Sequence, residues 1–154
     1  MADIVSPEVR SRMMSGIRGK NTRPELQIRS GLHRLGYRYR LHVRNLPGKP
    51  DLVFPGRKAV IFVHGCYWHG HDCHLFRLPK TRTGFWKAKI ETNRRNDRRA
   101  IDALQQDGWR VLTVWECALR GKTRLPDGEP VRLAAEWLDS GLDEGVLRGI
   151  SPPG

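Results

Sequence analysis

Polar residues dominate the chain up to Asn21, with Met13, Met14 and Ile17 as the main apolar members, and Gly16 and Gly19 weaken any long helix there. This stretch reads as a basic arm, either flexible or ordered on a polyanion. Thr22-Arg23-Pro24-Glu25 then opens a helix. Thr22 suits the N-cap, proline is tolerated in the first turn, and Glu25 stands three residues after the cap, as a capping box requires. Ile28, Leu32 and Leu35 follow at i, i+4 and i+7 as one buried stripe, and Gly36 fits the stop. Glu25 thus has a structural explanation beside any role in a site.

Tyr37-Arg38-Tyr39-Arg40-Leu41 alternates with period two and predicts a strand with one wet, basic face. After a loop at 45–50, Asp51-Leu52-Val53-Phe54 reads as a short strand and Pro55-Gly56-Arg57-Lys58 as a turn. Ala59 to Val63 is continuously apolar, which predicts a central strand covered on both faces. An antiparallel hairpin of these two strands places Asp51, at the start of one, beside His64, at the end of the other.

Residues 65–82 lack apolar periodicity and are rich in His, Cys and aromatic side chains. Thr83 reads as the cap of a helix from Phe85 to Asp107 that Gly108 ends, with Ile90, Asp97, Ile101 and Leu104 on one face. Arg94, Arg95, Arg98 and Arg99 crowd that helix and favour phosphate contact over a merely solvated face. Trp109 to Trp115 predicts a strand, Val131 to Leu138 a closing helix, and the segment from Ser140 a Gly- and Pro-rich tail, poorly ordered at its end. The order helix, strands, helix, strand, helix gives an α/β domain with a small mixed β-sheet flanked by helices.

Composition sharpens this picture. The chain has 154 residues, the size of one domain, with 28 Lys and Arg against 16 Asp and Glu and a formal net charge of +12. Such an excess points to a polyanionic partner, nucleic acid first. No apolar run approaches the ~20 residues of a membrane span, so the expectation is a soluble cytoplasmic protein without a membrane partner. Three cysteines, an odd number, argue against a disulfide scaffold and for a metal site or inert thiols.

Cys66, His71 and Cys73 lie in one loop, and Cys117 follows a later strand. Three thiolates and an imidazole suit a closed tetrahedral Zn²⁺ site, and a loop so poor in apolar residues needs such an anchor. The spacing is not a standard finger, and His69 and His74 compete with His71 for the ligand position. With no open position, this zinc is structural.

Pro50-Asp51 opening a strand resembles the restriction-endonuclease-like nuclease core, although the acid-x-Lys of that core is absent and the second strand reads Phe62-Val63-His64. Asp51 can anchor Mg²⁺, with a backbone carbonyl near Val63 as a further ligand. His64 or His69 can accept a proton from water or neutralise the phosphate. Tyr67 and Trp68, set in a polar loop, suit insertion between base steps, which is cheapest at a mispaired step.

His64-Gly65-Cys66-Tyr67-Trp68-His69, the Cys73 segment, Thr81 to Trp86 and Gly108 to Gly121 together resemble the very-short-patch repair (Vsr) mismatch endonucleases of bacteria. The resemblance runs from about Ser6 to Leu138. It implies a restriction-endonuclease-like fold with structural zinc, divided into an arm at 1–21, a nuclease domain at 22–140 and a tail at 141–154. It implies Mg²⁺-dependent nicking of duplex DNA 5′ of the thymine in T:G mismatches left by deaminated 5-methylcytosine. The implied functional partners are a cytosine-5 DNA methyltransferase, a repair polymerase and a ligase, with the enzyme a monomer acting at the bacterial nucleoid. By position, Asp51 is the catalytic metal ligand, and His64 and His69 complete the shell, with His69 ahead as proton acceptor. Glu25 lies nearby, and Cys66, His71, Cys73 and Cys117 hold zinc. Tyr67, Trp68 and Trp86 form a wedge, Met14 reaches into the opposite groove, and Lys89 and Asn93 contact bases at or beside the mismatch. Two positions depart from the family pattern: Tyr67 stands where Phe is expected, and Val63 where Thr is expected.

Two other readings compete with the nickase. One is a non-cleaving zinc module that binds distorted DNA. The other is a nuclease in which zinc itself is catalytic.

Overall fold

The computed structural model describes residues 22–73 and 75–150. The basic arm with Met14, His74 and the last four residues lie outside the described residues. Helix α1 (Arg23–Arg34) begins as its sequence predicts, with Thr22 Oγ1 accepting from Glu25 N at 3.4 Å. Strands β1 (Arg40–Leu41), β2 (Leu52–Phe54) and β3 (Ala59–His64) follow, then α2 (Thr83–Gln106), β4 (Arg110–Trp115), α3 (Glu129–Asp139) and β5 (Glu144–Leu147).

The five strands form one sheet in chain order. β1, β2 and β3 are antiparallel neighbours, while β3–β4 and β4–β5 are parallel. Connection length decides this pattern. The turn at 55–58 can only reverse the chain, whereas a parallel pair needs a crossover, which α2 and α3 supply. One sheet face packs Leu52, Phe54, Ile61, Leu112 and Val114 against Ile28 and Leu32 of α1 and Trp137 and Leu138 of α3. The other packs Val53, Val60, Phe62 and Val111 against Ile101 and Leu104 of α2. β3 is therefore covered on both faces, as its unbroken apolar run requires.

Three expectations change. Only Arg40 and Leu41 of the alternating 37–41 stretch join the ladder. Tyr37 and Tyr39 are anchored to helices instead, their hydroxyls donating to Asp139 Oδ2 at 2.8 Å and to Arg29 O at 2.9 Å. Thr83 does not cap α2. Its hydroxyl donates backward to Pro79 O and Lys80 O, and Arg82 takes the cap position at φ +53°. Lastly, the tail contains β5, whose short, half-exposed pattern carries no apolar signal of its own.

β5 fits because Gly145 leaves room for a ring: a Cβ there would stand 2.7 Å from Trp137 and 3.0 Å from Leu112. Gly145→Ala is expected to cost about 1–3 kcal/mol in urea unfolding. Gly141→Ala, which meets nothing within 4 Å, should stay within about 0.5 kcal/mol of the parent.

Candidate functional site

The site is built at the carboxyl ends of the parallel strands β3 and β4, where open α/β sheets commonly bind ligands. The register pairs His64 with Trp115. Cys66 and Cys117 each lie two residues beyond that pair, so parallel pairing brings them side by side across a long stretch of sequence. Cys117 N donates to Cys66 Sγ at 3.3 Å.

His71 and Cys73 complete this group, with ligand atoms of all four residues within 4.8 Å of one another. His71 Nδ1 lies 3.5 Å from both Cys66 Sγ and Cys117 Sγ. Tetrahedral Zn²⁺ with its usual bond lengths separates S and N ligands by about 3.6 Å, so the donor set fits the ion. The other His71 nitrogen, Nε2, faces the exposed Asp72 Oδ1 at 3.7 Å, beyond hydrogen-bond distance. Burial lowers the His71 pKa below its ordinary value, leaving the neutral ring a metal needs. Burial also pushes the Cys66 and Cys117 thiols up, so a metal entering the cluster displaces their protons. His69 bonds Asp97 of α2 instead, and His74, the other competitor with His71, lies outside the described residues. Glu116 Oε1 accepts from Cys66 N at 3.1 Å, and Gly149 N donates to Cys117 Sγ at 3.3 Å.

Asp51 lies at the entrance to β2. Its Oδ2 accepts from Val63 N at 2.7 Å, which ties it to the end of β3. Its carboxylate meets Glu25 of α1 and His42 of the loop after β1, with ligand atoms within 4.8 Å of one another. Glu25 is only 1% exposed. Its carboxylate accepts from Arg29 at 2.8 Å and lies 3.0 and 3.1 Å from His42 Nε2. Burial is the main cause that pushes the Asp51 carboxyl up to about 8; the Val63 N–H lowers it, and the neighbouring Glu25 raises it further. Two carboxylates beside an imidazole form a donor set that fits a hexacoordinate dication.

His64 and His69 lie at the α2 face of the same strand end. Their rings stack at 3.9 Å and 5°. His69 Nδ1 bonds Asp97 Oδ2 of α2 at 2.5 Å, which leaves Nε2 as the available nitrogen. Burial, with His69 alongside, holds His64 well below 6.5, and His64 Nδ1 has no hydrogen-bond partner among the described residues. Trp115 links this pair to the Cys group. It stacks on His71 at 4.1 Å and meets His64 edge-on at 5.3 Å.

The aromatic residues collect beside this strand end. Tyr67 packs edge-on against Trp68 at 5.0 Å, and both lie 6.3 Å from Trp86 at the start of α2. Phe85 is 48% exposed, with Arg82 over its ring. Asn93 Nδ2 donates to Trp68 O at 2.8 Å and so braces the loop; Lys89 is half-buried one turn earlier.

The structure thus divides the sequence's candidates into three groups around the end of β3: the Cys group, Asp51 with Glu25, and His64 with His69. It adds His42, Asp97, Trp115 and Glu116. Asp97 had a usable signal, an acid on the otherwise apolar Ile90–Ile101–Leu104 face. His42 had none, since its loop carries no pattern.

The family model of the DNA mismatch endonuclease Vsr matches residues 2–75. The DNA mismatch endonuclease Vsr of Escherichia coli is 46% identical over 90% of this chain and 88% of its own length. The chain belongs to the Vsr family of DNA mismatch endonucleases. Other Vsr-type relatives are the type II nicking enzyme V.XorIIP of Xanthomonas oryzae, 56% identical over 77% of this chain and 88% of its own, and V.NmeAIP of Neisseria meningitidis, 41% identical over 79% and 87%. The mixed α/β sheet flanked by helices is the restriction-endonuclease-like architecture of the Vsr family.

The raised Asp51 carboxyl has a consequence for stability. In the fold it keeps its proton to about pH 8, while an unfolded aspartate releases its proton near 3.8. Stability therefore falls as pH rises through that window, by up to about 1.4 kcal/mol per pH unit. His64 acts oppositely: with its folded value well below 6.5, its contribution is lost as pH falls through 6.5. Asp51 is thus the group to isolate between pH 6.5 and 8. In Mg²⁺-free buffer with zinc retained, urea unfolding should show the parent losing stability across that interval relative to Asp51→Asn. Parallel profiles would show that the carboxyl is already ionised.

Proposed function

We propose that this chain nicks duplex DNA on the 5′ side of the thymine in T:G mismatches, by Mg²⁺-dependent hydrolysis, in very-short-patch repair. The observation that carries the reading is the meeting of a buried carboxylate pair and an Asp-oriented histidine at one strand end. Asp51, with Glu25 close by and the Val63 carbonyl as a further ligand, would hold Mg²⁺, which when bound neutralises phosphodiester charge and stabilises the leaving oxygen. Asp97 fixes His69 so that Nε2 accepts a proton from water. His64, kept neutral by burial, stacks against His69 and holds its plane. Tyr67, Trp68 and Trp86 supply flat surfaces for a base step opened at the mismatch, where unstacking costs least. Lys89 and Asn93 stand on the helix behind this wedge, and Met14 would reach the opposite groove.

Cys66, His71, Cys73 and Cys117 would hold Zn²⁺ in a closed, structural site. Four protein ligands leave no position for water, which disfavours a catalytic zinc. The +12 formal charge supports affinity for the phosphate backbone. No helix among the described residues is long and apolar enough to cross a membrane. The reading places the enzyme, as a monomer in the bacterial cytoplasm, downstream of a cytosine-5 DNA methyltransferase and upstream of a polymerase and ligase.

Strand-specific cleavage of T:G duplexes with varied flanking bases tests the reading. Asp51→Ala should lose at least about 10³-fold in turnover, the several kcal/mol a catalytic cation supplies, while mismatch binding stays within about threefold. An intact T:G duplex in every context would favour the non-cleaving module. Cys73→Ser should release zinc and lower the unfolding temperature, with activity falling in step with the folded fraction. A folded but inactive Cys73→Ser, or full activity without Mg²⁺, would instead make zinc catalytic.

A further inference from the structure

Neither the family pattern nor the apolar periodicity singles out His42, yet its placement is specific. Its backbone is left-handed, at φ +50°, a conformation that L side chains rarely hold without compensation. Its N–H donates to Asp51 O at 3.2 Å, so the loop is pinned to the residue whose carboxylate its ring approaches. Nε2 then stands 3.0 and 3.1 Å from the two Glu25 oxygens, and one atom each of Glu25, His42 and Asp51 fall within 4.8 Å of one another. Adjacent ligands of an octahedral cation with bonds of about 2.1 Å lie about 3.0 Å apart. The Glu25–His42 pair already has that spacing. Glu25 also binds Arg29, at 2.8 Å, and a neutral imidazole beside the two carboxyl groups is a metal ligand.

We infer that His42 is a nitrogen ligand of the cation held by Asp51 and Glu25, which gives this site a preference for Mn²⁺ and similar transition-metal dications beyond what carboxylates alone provide. Mg²⁺ takes oxygen ligands and gains little from an imidazole, whereas Mn²⁺, also an oxygen-binding ion, is the first and weakest member of the transition-metal series whose affinity for nitrogen-containing sites rises beyond it. The hydrogen bond from Nε2 to Glu25 holds the ring beside the carboxylates; as a ligand Nε2 gives up that proton to solvent and the ring keeps its proton on Nδ1. The inference rests on the reading of Asp51 as the ligand of the catalytic cation.

The test uses full-length, zinc-loaded protein without DNA, titrated calorimetrically with Mn²⁺ or Mg²⁺ alone. Pulsed electron paramagnetic resonance of the Mn²⁺ form reports directly bound nitrogen. The parent should show ¹⁴N coupling to Mn²⁺. His42→Gln, whose amide can still donate to Glu25, should lose that coupling and about tenfold in Mn²⁺ affinity, with Mg²⁺ affinity changed less than threefold. Asp51→Asn should weaken both cations. No nitrogen coupling in the parent, or equal loss of both cations in His42→Gln, would overturn the inference and leave His42 as a prop for Glu25. Unchanged binding of both cations to Asp51→Asn would remove Asp51 as the ligand and, with it, the proposed hydrolytic site. Because the coupling is read on the parent protein, the result does not depend on either variant folding.

Discussion

The parallel pairing of β3 with β4 is the constraint on which the site depends. Six residue pairs, from Ala59 with Arg110 to His64 with Trp115, fix the register. A slip of one residue would turn each strand's apolar set to the opposite face. Both strands are buried on both faces, so such a slip would disrupt two cores at once. The chain exploits this rigidity at the strand ends. Cys66 and Cys117 come together because their strands end level, and His64 and Trp115 meet for the same reason. The crossover helix α2 that makes the pairing parallel also delivers Asp97 to His69 and Asn93 to the Trp68 carbonyl.

The Cys group and the histidine pair are joined by direct contacts. Trp115 lies face-on to His71 and edge-on to His64, while His64 lies face-on to His69. The segment between Cys66 and His71 carries Tyr67, Trp68 and His69. A metal held at both ends of that segment would fix the aromatic surface and the histidine together. Main-chain contacts act the same way, with His71 N donating to Cys66 O at 2.9 Å and His69 N to Gly65 O at 3.2 Å. A loop with so few apolar residues has little hydrophobic burial to hold its shape, so these bonds take that role, and a metal on the Cys group would add to them.

Charge is arranged by depth. Arginines cover the outer surface of α2, while Asp51 and Glu25 sit inward at the strand end. Burying two carboxylates close together is costly without a counter-charge. Arg29 supplies a counter-charge to Glu25, and His42 adds a hydrogen bond to it. Buried carboxyl groups inside a basic protein suit the chemistry of a phosphodiester, since the basic surface would attract the polyanion and the carboxyl groups could hold a cation that neutralises phosphate charge.

By itself the sequence determined the elements whose patterning is strong: the Thr22-capped α1, the buried β3, the amphipathic α2, and the mixed α/β class. It also supplied the ligand-type residues around Cys66 and the acid at Asp51, because such residues are conspicuous in an otherwise polar loop. Tertiary structure decided what depends on long-range placement. It turned His71 to the cysteines and His69 to Asp97, and it drew His42 to Glu25. It also made β5 from a segment with no apolar signal, because Gly145 leaves room for Trp137. The reason is physical. Periodicity records which face of an element is buried, but the partner of a polar side chain is set by the register and crossings of elements far apart in the chain, and those leave no local trace.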